Sequence, residues 1–312
     1  MRLEEVPEPE PGPGDLLVEV RAAGVNRADL LQRLGRYPPP PGEPHTIGLE
    51  IAGEVLEPAH RRGERVMALL AGGGYAERAR VPQAQAMPIP EQLSFVEAAA
   101  IPEAFLTAYL NLVTLGALAR GQVVVVHAAG SGVGSAALQL CRDVAKTILA
   151  TASPRKHDAC RALGATHFLS RAEVPAGLAA AVQAAAGRGA DLILDLVGAS
   201  YLEANIAALG LHGRLCCIST MGGSKGTLDL GALLQKRLTV LGSTLRTRSA
   251  EQKAKLVADF TRHALPRFER GELRPVIAAT FPLEDAMSAH EALQRGEVTG
   301  KIVLEVARSK AG

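Results

Sequence analysis

The chain has 312 residues, 47% of them apolar, and a formal net charge of +2. That length calls for two domains with sizeable cores, and the charge balance gives no electrostatic reason to expect nucleic acid or a membrane surface as a partner. No run of about 18 apolar residues is uninterrupted and Met1-Arg-Leu-Glu-Glu5 has no secretory character, so a cytoplasmic protein is expected. Residues 7–14 (Pro-Glu-Pro-Glu-Pro-Gly-Pro-Gly) predict an extended segment, because proline lacks an N–H and disfavours helix in its predecessor. Short strands follow at 16–21, 50–55, 65–69 and 75–81, bounded by glycine and proline turns, and they point to a small β-rich domain. Ser94 with Glu97 three residues on is a capping box and predicts a helix start.

The next stretch changes character. Gln122-Val-Val-Val-Val-His127 is strand-like and runs into Ala-Ala-Gly130-Ser131-Gly132-Val133-Gly134, after which a small-residue helix opens. That order gathers backbone N–H groups and a helix N-terminus, where a pyrophosphate is stabilised by hydrogen bonds and the helix dipole. Alanine and serine stand where the first two glycines of the full dinucleotide fingerprint usually sit. The following strand, 146–151, lies at the distance a βαβ unit of about 30 residues requires. Further strands at 166–169, 191–197, 214–218 and 238–241 alternate with helices at 178–186 and 201–209. Such alternation predicts a doubly wound parallel α/β sheet. A helix over 251–268, a strand at 275–278, a helix over 283–294 and a strand at 301–306 then complete the first domain, making it discontinuous. The expected division is 1–103 with 249–312 for that domain and 104–248 for the dinucleotide-binding one.

Four cysteines and eight histidines show neither C-x-x-C nor H-x-x-x-H spacing, so free buried thiols are expected rather than disulfides or a zinc knuckle. The end of the second strand in the doubly wound segment reads Ala150-Thr-Ala-Ser153-Pro-Arg155-Lys156. An NAD site usually places an acid there for the ribose hydroxyls. Here there is none, and two bases follow. Ser153 and Lys156 suit a 2′-phosphate, while Ser153 also suits a helix cap before Pro154, and the two roles are compatible.

The chain resembles the zinc-independent quinone oxidoreductase branch of the medium-chain dehydrogenase/reductase superfamily. The resemblance is carried by Gly24-Val-Asn-Arg-Ala-Asp29, Tyr37-Pro-Pro, Gly48-Leu-Glu50, Gly63-Glu-Arg-Val66, Gly72-Gly-Gly-Tyr75, Leu106-Thr-Ala-Tyr109, the loop at 127–134 and Gly300-Lys-Ile-Val303. Pro102-Glu-Ala, Met221-Gly-Gly223, Leu234-Gln-Lys-Arg237 and Leu245-Arg-Thr-Arg248 are most similar to its tumour-suppressor-inducible type. The resemblance implies a Rossmann domain binding NADPH, a chaperonin-like (GroES-like) β-barrel domain, and catalysis in the cleft between them. It also implies an edge strand upstream of Leu3-Glu-Glu-Val-Pro-Glu-Pro9, the motif in which this chain begins.

Carried over residue by residue, Asn26, Asp29 and Tyr37 are the expected catalytic residues. Thr107, Gly130, Ser131, Gly132, Val133, Ser153, Lys156, Met221, Leu245, Arg246 and Lys301 are the expected cofactor contacts. A family tyrosine near the 2′-phosphate is replaced at or beside Ser170, and a second, in the substrate pocket, is Leu31. Asn26, Leu49 and Glu103 occupy the places of the zinc ligands of alcohol dehydrogenases, and with no lone pair on Leu49 no metal is expected. The expected reaction is metal-free hydride transfer to a quinone or similar activated carbonyl acceptor, with enone or enoyl C=C reduction and non-catalytic NADPH binding as alternatives. A homodimer paired through residues 238–244 is also expected.

Overall fold

The computed structural model describes residues 1–307, and the chain divides into two compact units, Met1–Leu106 with the segment from Leu245 onward, and Thr107–Thr244. In chain order the first unit begins with β1 (Asp15–Val25), α1 (Arg27–Arg33), β2 (Glu50–Glu57), β3 (Arg65–Leu69), β4 (Arg78–Pro82) and β5 (Ala86–Pro88). Two helices follow, α2 (Phe95–Ala98) and α3 (Pro102–Tyr109), the latter running across the division into a π-helical turn at Leu110–Thr114. The second unit then carries β6 (Val123–Val126), α4 (Gly132–Cys141), β7 (Thr147–Ala152), α5 (His157–Ala162), β8 (His167–Ser170) and α6 (Val174–Ala186). It continues with β9 (Ala190–Asp195), α7 (Leu202–Ala208), β10 (Leu209–Cys217), α8 (Leu230–Lys236) and β11 (Thr239–Gly242). The chain returns to the first unit with α9 (Ala250–His263), α10 (Leu265–Glu269), β12 (Ile277–Pro282), α11 (Ala286–Arg295) and β13 (Lys301–Glu305).

The first unit is built around β1. One edge of this strand pairs with β2 along nearly its whole length, Leu17 opposite Glu57 and Ala23 opposite Ile51. Its other edge is shared: Asp15 to Glu19 pair with β4, and Ala22 to Val25 pair with β13. The resulting sheet has the order β12-β13-β1-β2-β3-β5, with β4 on the free half of β1. Val18, Val20, Ile51, Val55, Val66, Val81, Ile302 and Leu304 form its core, closed by Leu283 and Ala289 from around α11. Gly24 lies in β1 because a Cβ there would stand 2.2 Å from Glu50 Oε1, so only glycine leaves room for that carboxylate.

The second unit is a six-stranded parallel sheet of order β11-β10-β9-β6-β7-β8. Counted from β6, this is the strand order of the doubly wound dinucleotide-binding fold. Its central strands are largely apolar, as a sheet covered by helices on both faces requires, and β6 is four buried valines in a row. The thiols of Cys141, Cys160 and Cys216 are buried and free.

Three expectations are corrected. The helix predicted over 251–268 is two helices, α9 and α10, divided at Ala264 two residues before Pro266, a residue that cannot extend the hydrogen-bond ladder. Tyr75 precedes β4 rather than opening it, because its hydroxyl is drawn into the core. The helices α1 and α8 come in addition to those expected. By composition alone Phe95–Thr114 is long and apolar enough to cross a membrane, but 72% of its most apolar window is buried within the protein.

Candidate functional site

In the second unit the strand ends converge on a cradle. His127, fully buried at the end of β6, holds it together: Nδ1 lies 2.8 Å from Thr151 Oγ1 on β7 and Nε2 lies 2.7 Å from Asn205 Oδ1 on α7. Asn205 Nδ2 donates to Asp195 Oδ2 at the end of β9, and the other Asp195 oxygen accepts from the Val197 and Gly198 amides. Burial holds the His127 pKa below the usual imidazole value, so the ring is neutral, with Nε2–H donating to Asn205 and Nδ1 accepting from Thr151.

The loop after His127 delivers the start of α4. Ser131 caps that helix by accepting the Gly134 amide at 3.0 Å, which leaves the Gly132 and Val133 amides among those a helix start cannot pair internally. At Gly134 a Cβ would stand 2.4 Å from Ala128 O. At Gly130 it would stand 2.4 Å from Lys156 Cδ, so the lysine stem crosses directly over the loop. Ser153 precedes the turn Pro154–Lys156 as its N-cap by backbone conformation, but its hydroxyl makes no capping bond. Arg171, which sequence reasoning passed over, follows β8 with its amide on Ala152 O at 2.8 Å. Burial chiefly, then the Arg155 and Arg171 charges, hold Lys156 below the usual lysine value. Three cationic side chains thus share the ends of β7 and β8, an arrangement suited to a polyanion. Thr107 Oγ1 is buried with no hydrogen-bond partner. A half-buried glycine-rich turn, unpaired helix-start amides, a cationic end and an orphaned hydroxyl fit a dinucleotide. Met221 is exposed.

The first unit holds a second, buried polar centre. Lys301 Nζ at the start of β13 donates to Val25 O (2.9 Å) and Asn26 Oδ1 (2.6 Å), and pairs with Glu50 Oε1 at 2.6 Å. All three ammonium hydrogens are therefore engaged inside the unit. Asn26 Nδ2 also donates to Glu50 Oε1, at 2.8 Å, while Glu50 Oε2 accepts the Glu103 amide at the start of α3, at 2.8 Å. Asp29, fully buried, accepts the Asn26 amide at 2.7 Å and so closes the first turn of α1. Its other partner is Tyr75, whose hydroxyl donates at 3.2 Å and lies 3.1 Å from His290 Nε2 on α11.

With Tyr75 donating to Asp29, a neutral imidazole gives its Nε2–H to the tyrosine oxygen. Burial pushes Asp29 up to about 7 and Glu103 up to about 8, with Glu50's charge adding to the latter, and burial lowers His290 to about 4. Tyr37 is half-buried, its phenol raised by burial and then by the Glu103 charge. Arg246 is 3% exposed and donates to Ala71 O, Tyr37 O and Gln32 Oε1. Leu245 beside it is buried. The expected site residues of the first unit therefore fall into one connected network, Asn26, Asp29 and Lys301, and a separate pair, Tyr37 and Arg246. Glu50, Tyr75 and His290, the groups that tie the network together, are not among the expected site residues, although Glu50 and Tyr75 lie in the motifs that carry the resemblance.

Comparison with known proteins bears on both units. Residues 12–91 match the alcohol dehydrogenase GroES-like domain and residues 163–304 match the zinc-binding dehydrogenase family. The synaptic vesicle membrane protein VAT-1 homolog of Rattus norvegicus is 33% identical over 319 aligned positions, covering 95% of this chain and 78% of that protein. The quinone oxidoreductase from Thermus thermophilus, solved also in its complex with NADPH, is 36% identical with a TM-score of 0.81, covering 97% of this chain and 95% of that one. The apo JamJ enoyl reductase is 26% identical with a TM-score of 0.84, covering 97% and 94%.

A doubly wound sheet carrying a glycine-rich cradle, joined to a GroES-like domain, defines an oxidoreductase that uses a nicotinamide cofactor. The chain belongs to the medium-chain dehydrogenase/reductase superfamily. The zinc in the name of the matching family finds no donor set here. Leu49 is aliphatic and the Asn26 amide is bonded to Glu50 and Lys301, and among the described residues no three His, Cys, Asp or Glu side chains are grouped to hold an ion.

Proposed function

We propose that the protein is an NADPH-dependent quinone reductase that works without a metal. The observation that carries this reading is the lysine stem laid across Gly130, with the uncommitted Ser153 hydroxyl and Arg171 beside it and no acid at the end of β7. A ribose 2′-phosphate needs donors and positive charge at that place, whereas NADH would want a carboxylate there. The similarity to a quinone oxidoreductase solved in complex with NADPH supports the same choice.

In this reading Gly130, Ser131, Gly132 and Val133 hold the pyrophosphate through backbone amides. Ser153 and Lys156 hold the 2′-phosphate, and Thr107, Met221 and Leu245 line the remainder of the nucleotide. The bound nicotinamide supplies a hydride, and the protein's contribution is placement and charge. Asn26 orients the acceptor, held by Glu50 and Lys301. Tyr37 donates a hydrogen bond to the acceptor oxygen as negative charge develops on it. Asp29 is a positioning residue, since its carboxylate is buried against the backbone of Asn26. Arg246 and Lys301, first expected at the cofactor, serve instead as supports of the first unit.

Enone or enoyl reduction is the second reading. It is favoured by the similarity to an enoyl reductase and by Glu103, half-buried and held protonated at neutral pH, a proton source for the carbon that follows hydride. NADPH oxidation measured side by side with 1,2-naphthoquinone, a 2-enone and an enoyl thioester tests both. Turnover of the quinone above the others is expected. Turnover of none, with NADPH bound tightly, would leave a nucleotide-binding protein.

The reading includes a homodimer. Among the described residues the edge strand β11 is unpaired on one side, and Leu230 and Leu234 beside it and Val240 within it are 62%, 73% and 39% exposed. Light scattering at micromolar concentration should give twice the chain mass.

A further inference from the structure

We infer that Arg246 is a positioning residue whose guanidinium clamps the loop carrying Tyr37 and fixes how that phenol meets the acceptor. The inference rests on the role given to Tyr37 above. Residues 34–49 contain no helix or strand, and Pro38, Pro39, Pro40 and Pro41 deprive the loop of four amide donors just where Tyr37 must be held. Backbone bonds hold the loop on either side of Tyr37, from Arg36 N to Leu31 O and from Glu43 N to Pro40 O, while the Tyr37 carbonyl takes its donor from a side chain elsewhere.

Arg246 supplies it at the point where the chain re-enters the first unit. Nη1 donates to the Tyr37 carbonyl at 3.0 Å, Nε to Ala71 O at 2.7 Å, and Nη2 to Gln32 Oε1 at 2.7 Å. Gln32 in turn donates from Nε2 to His45 O at 2.9 Å, so one side chain ties α1, both ends of the loop and the turn after β3. The guanidinium carbon also stands 5.0 Å from the centre of the Tyr37 ring, within the range of a cation–π contact. A planar fork with donors in three directions meets all these partners at once, and an ammonium cannot. The titratable groups facing this clamp are Tyr37, Asp29, Glu103 and Glu43, with Lys253 on α9. Three donors committed to carbonyl and amide oxygens hold backbone and ring together, a different task from neutralising a phosphate.

The test uses the chain's four tyrosines. With 3-fluorotyrosine incorporated, Tyr37 gives one of four fluorine signals, and Tyr75 in the first unit and Tyr109 and Tyr201 in the second report folding. In Arg246→Lys the Tyr37 signal should sharpen and move toward that of the free amino acid while the other three stay in place. In the same variant kcat/KM for 1,2-naphthoquinone should fall about tenfold with the Kd for NADPH unchanged. A Tyr37 signal that does not move, or a loss confined to NADPH affinity, would overturn the clamp.

If the Tyr75 signal moves as well, Gln32→Ala decides, since it loosens the clamp from its partner's side. A Tyr37 shift in that variant supports the inference and none refutes it. A wild-type protein that reduces no quinone would defeat the proposed function, yet the fluorine signals would still decide whether Arg246 holds the loop.

Discussion

Around His127 in the second unit each polar group closes on another: imidazole on threonine and asparagine, asparagine on aspartate, aspartate on two amides. The first unit, by contrast, buries Asp29 and Glu50 beside Glu103 with Lys301, among the described residues, as the only cation bonded among them, and it leaves Asp29 Oδ1 and His290 Nδ1 without partners. A closed network rigidifies the strand ends so that backbone amides are held ready for a ligand. An open one keeps carboxyls at raised pKa values, at an energetic cost that is useful only where a substrate or a proton is handled. The polar groups around His127 in the cradle are paired with one another, whereas the polar centre keeps two buried polar atoms without partners.

The sharpest way to break this contrast is Lys301→Met. Removing the one cation bonded to a fully buried Glu50 should cost about 3–5 kcal/mol in urea unfolding; a cost under about 1 kcal/mol would mean that the centre absorbs the change by taking up a proton. Next comes Lys156→Ala at the cradle: on the proposed reading it removes a charge that would face the 2′-phosphate, and it should weaken NADPH about tenfold by calorimetry, with NADH unaffected. Equal losses for both nucleotides would place the lysine elsewhere.

A smaller effect is expected from pH. Glu103 rises from 4.5 to about 8 on folding, so above pH 4.5 the unfolded chain ionises while the folded one does not. Stability is therefore lost between about pH 5 and 8. Glu103→Gln should flatten that slope; an unchanged slope would show that the carboxyl is already ionised in the fold. Smallest is Ser131→Ala, which removes one cap from α4 and should cost about 1 kcal/mol by thermal unfolding.

Local pattern reached some of this and not the rest. The valine run of β6, the strand β3 at Arg65–Leu69 and the Ser94–Glu97 capping box were legible because each is decided by neighbours in sequence. The seven residues of α1 carry too few apolar positions to announce a helix. They are helical because Asp29 turns back onto Asn26 and is then held by Tyr75 from a distant turn. The cradle was visible as a glycine-rich loop between strand and helix. The polar centre was not, since Glu50, Tyr75, His290 and Lys301 come from four separate segments and none signals its partner. Resemblance to a family pointed at Arg246 and Lys301 as cofactor contacts, and sequence alone did not show the bonds each makes inside the first unit.

The divided edge of β1 has a bearing on how the protein is made. Its first half is zipped by β4, produced soon afterwards, but its second half waits for β13, which is translated only after the whole of the second unit. During synthesis the contiguous sheet is free to fold early, while residues 22–25 remain an unsatisfied edge on the nascent polypeptide. Slow elongation through the intervening stretch would prolong that exposure, and misassembly between neighbouring nascent chains would begin at Ala22–Val25.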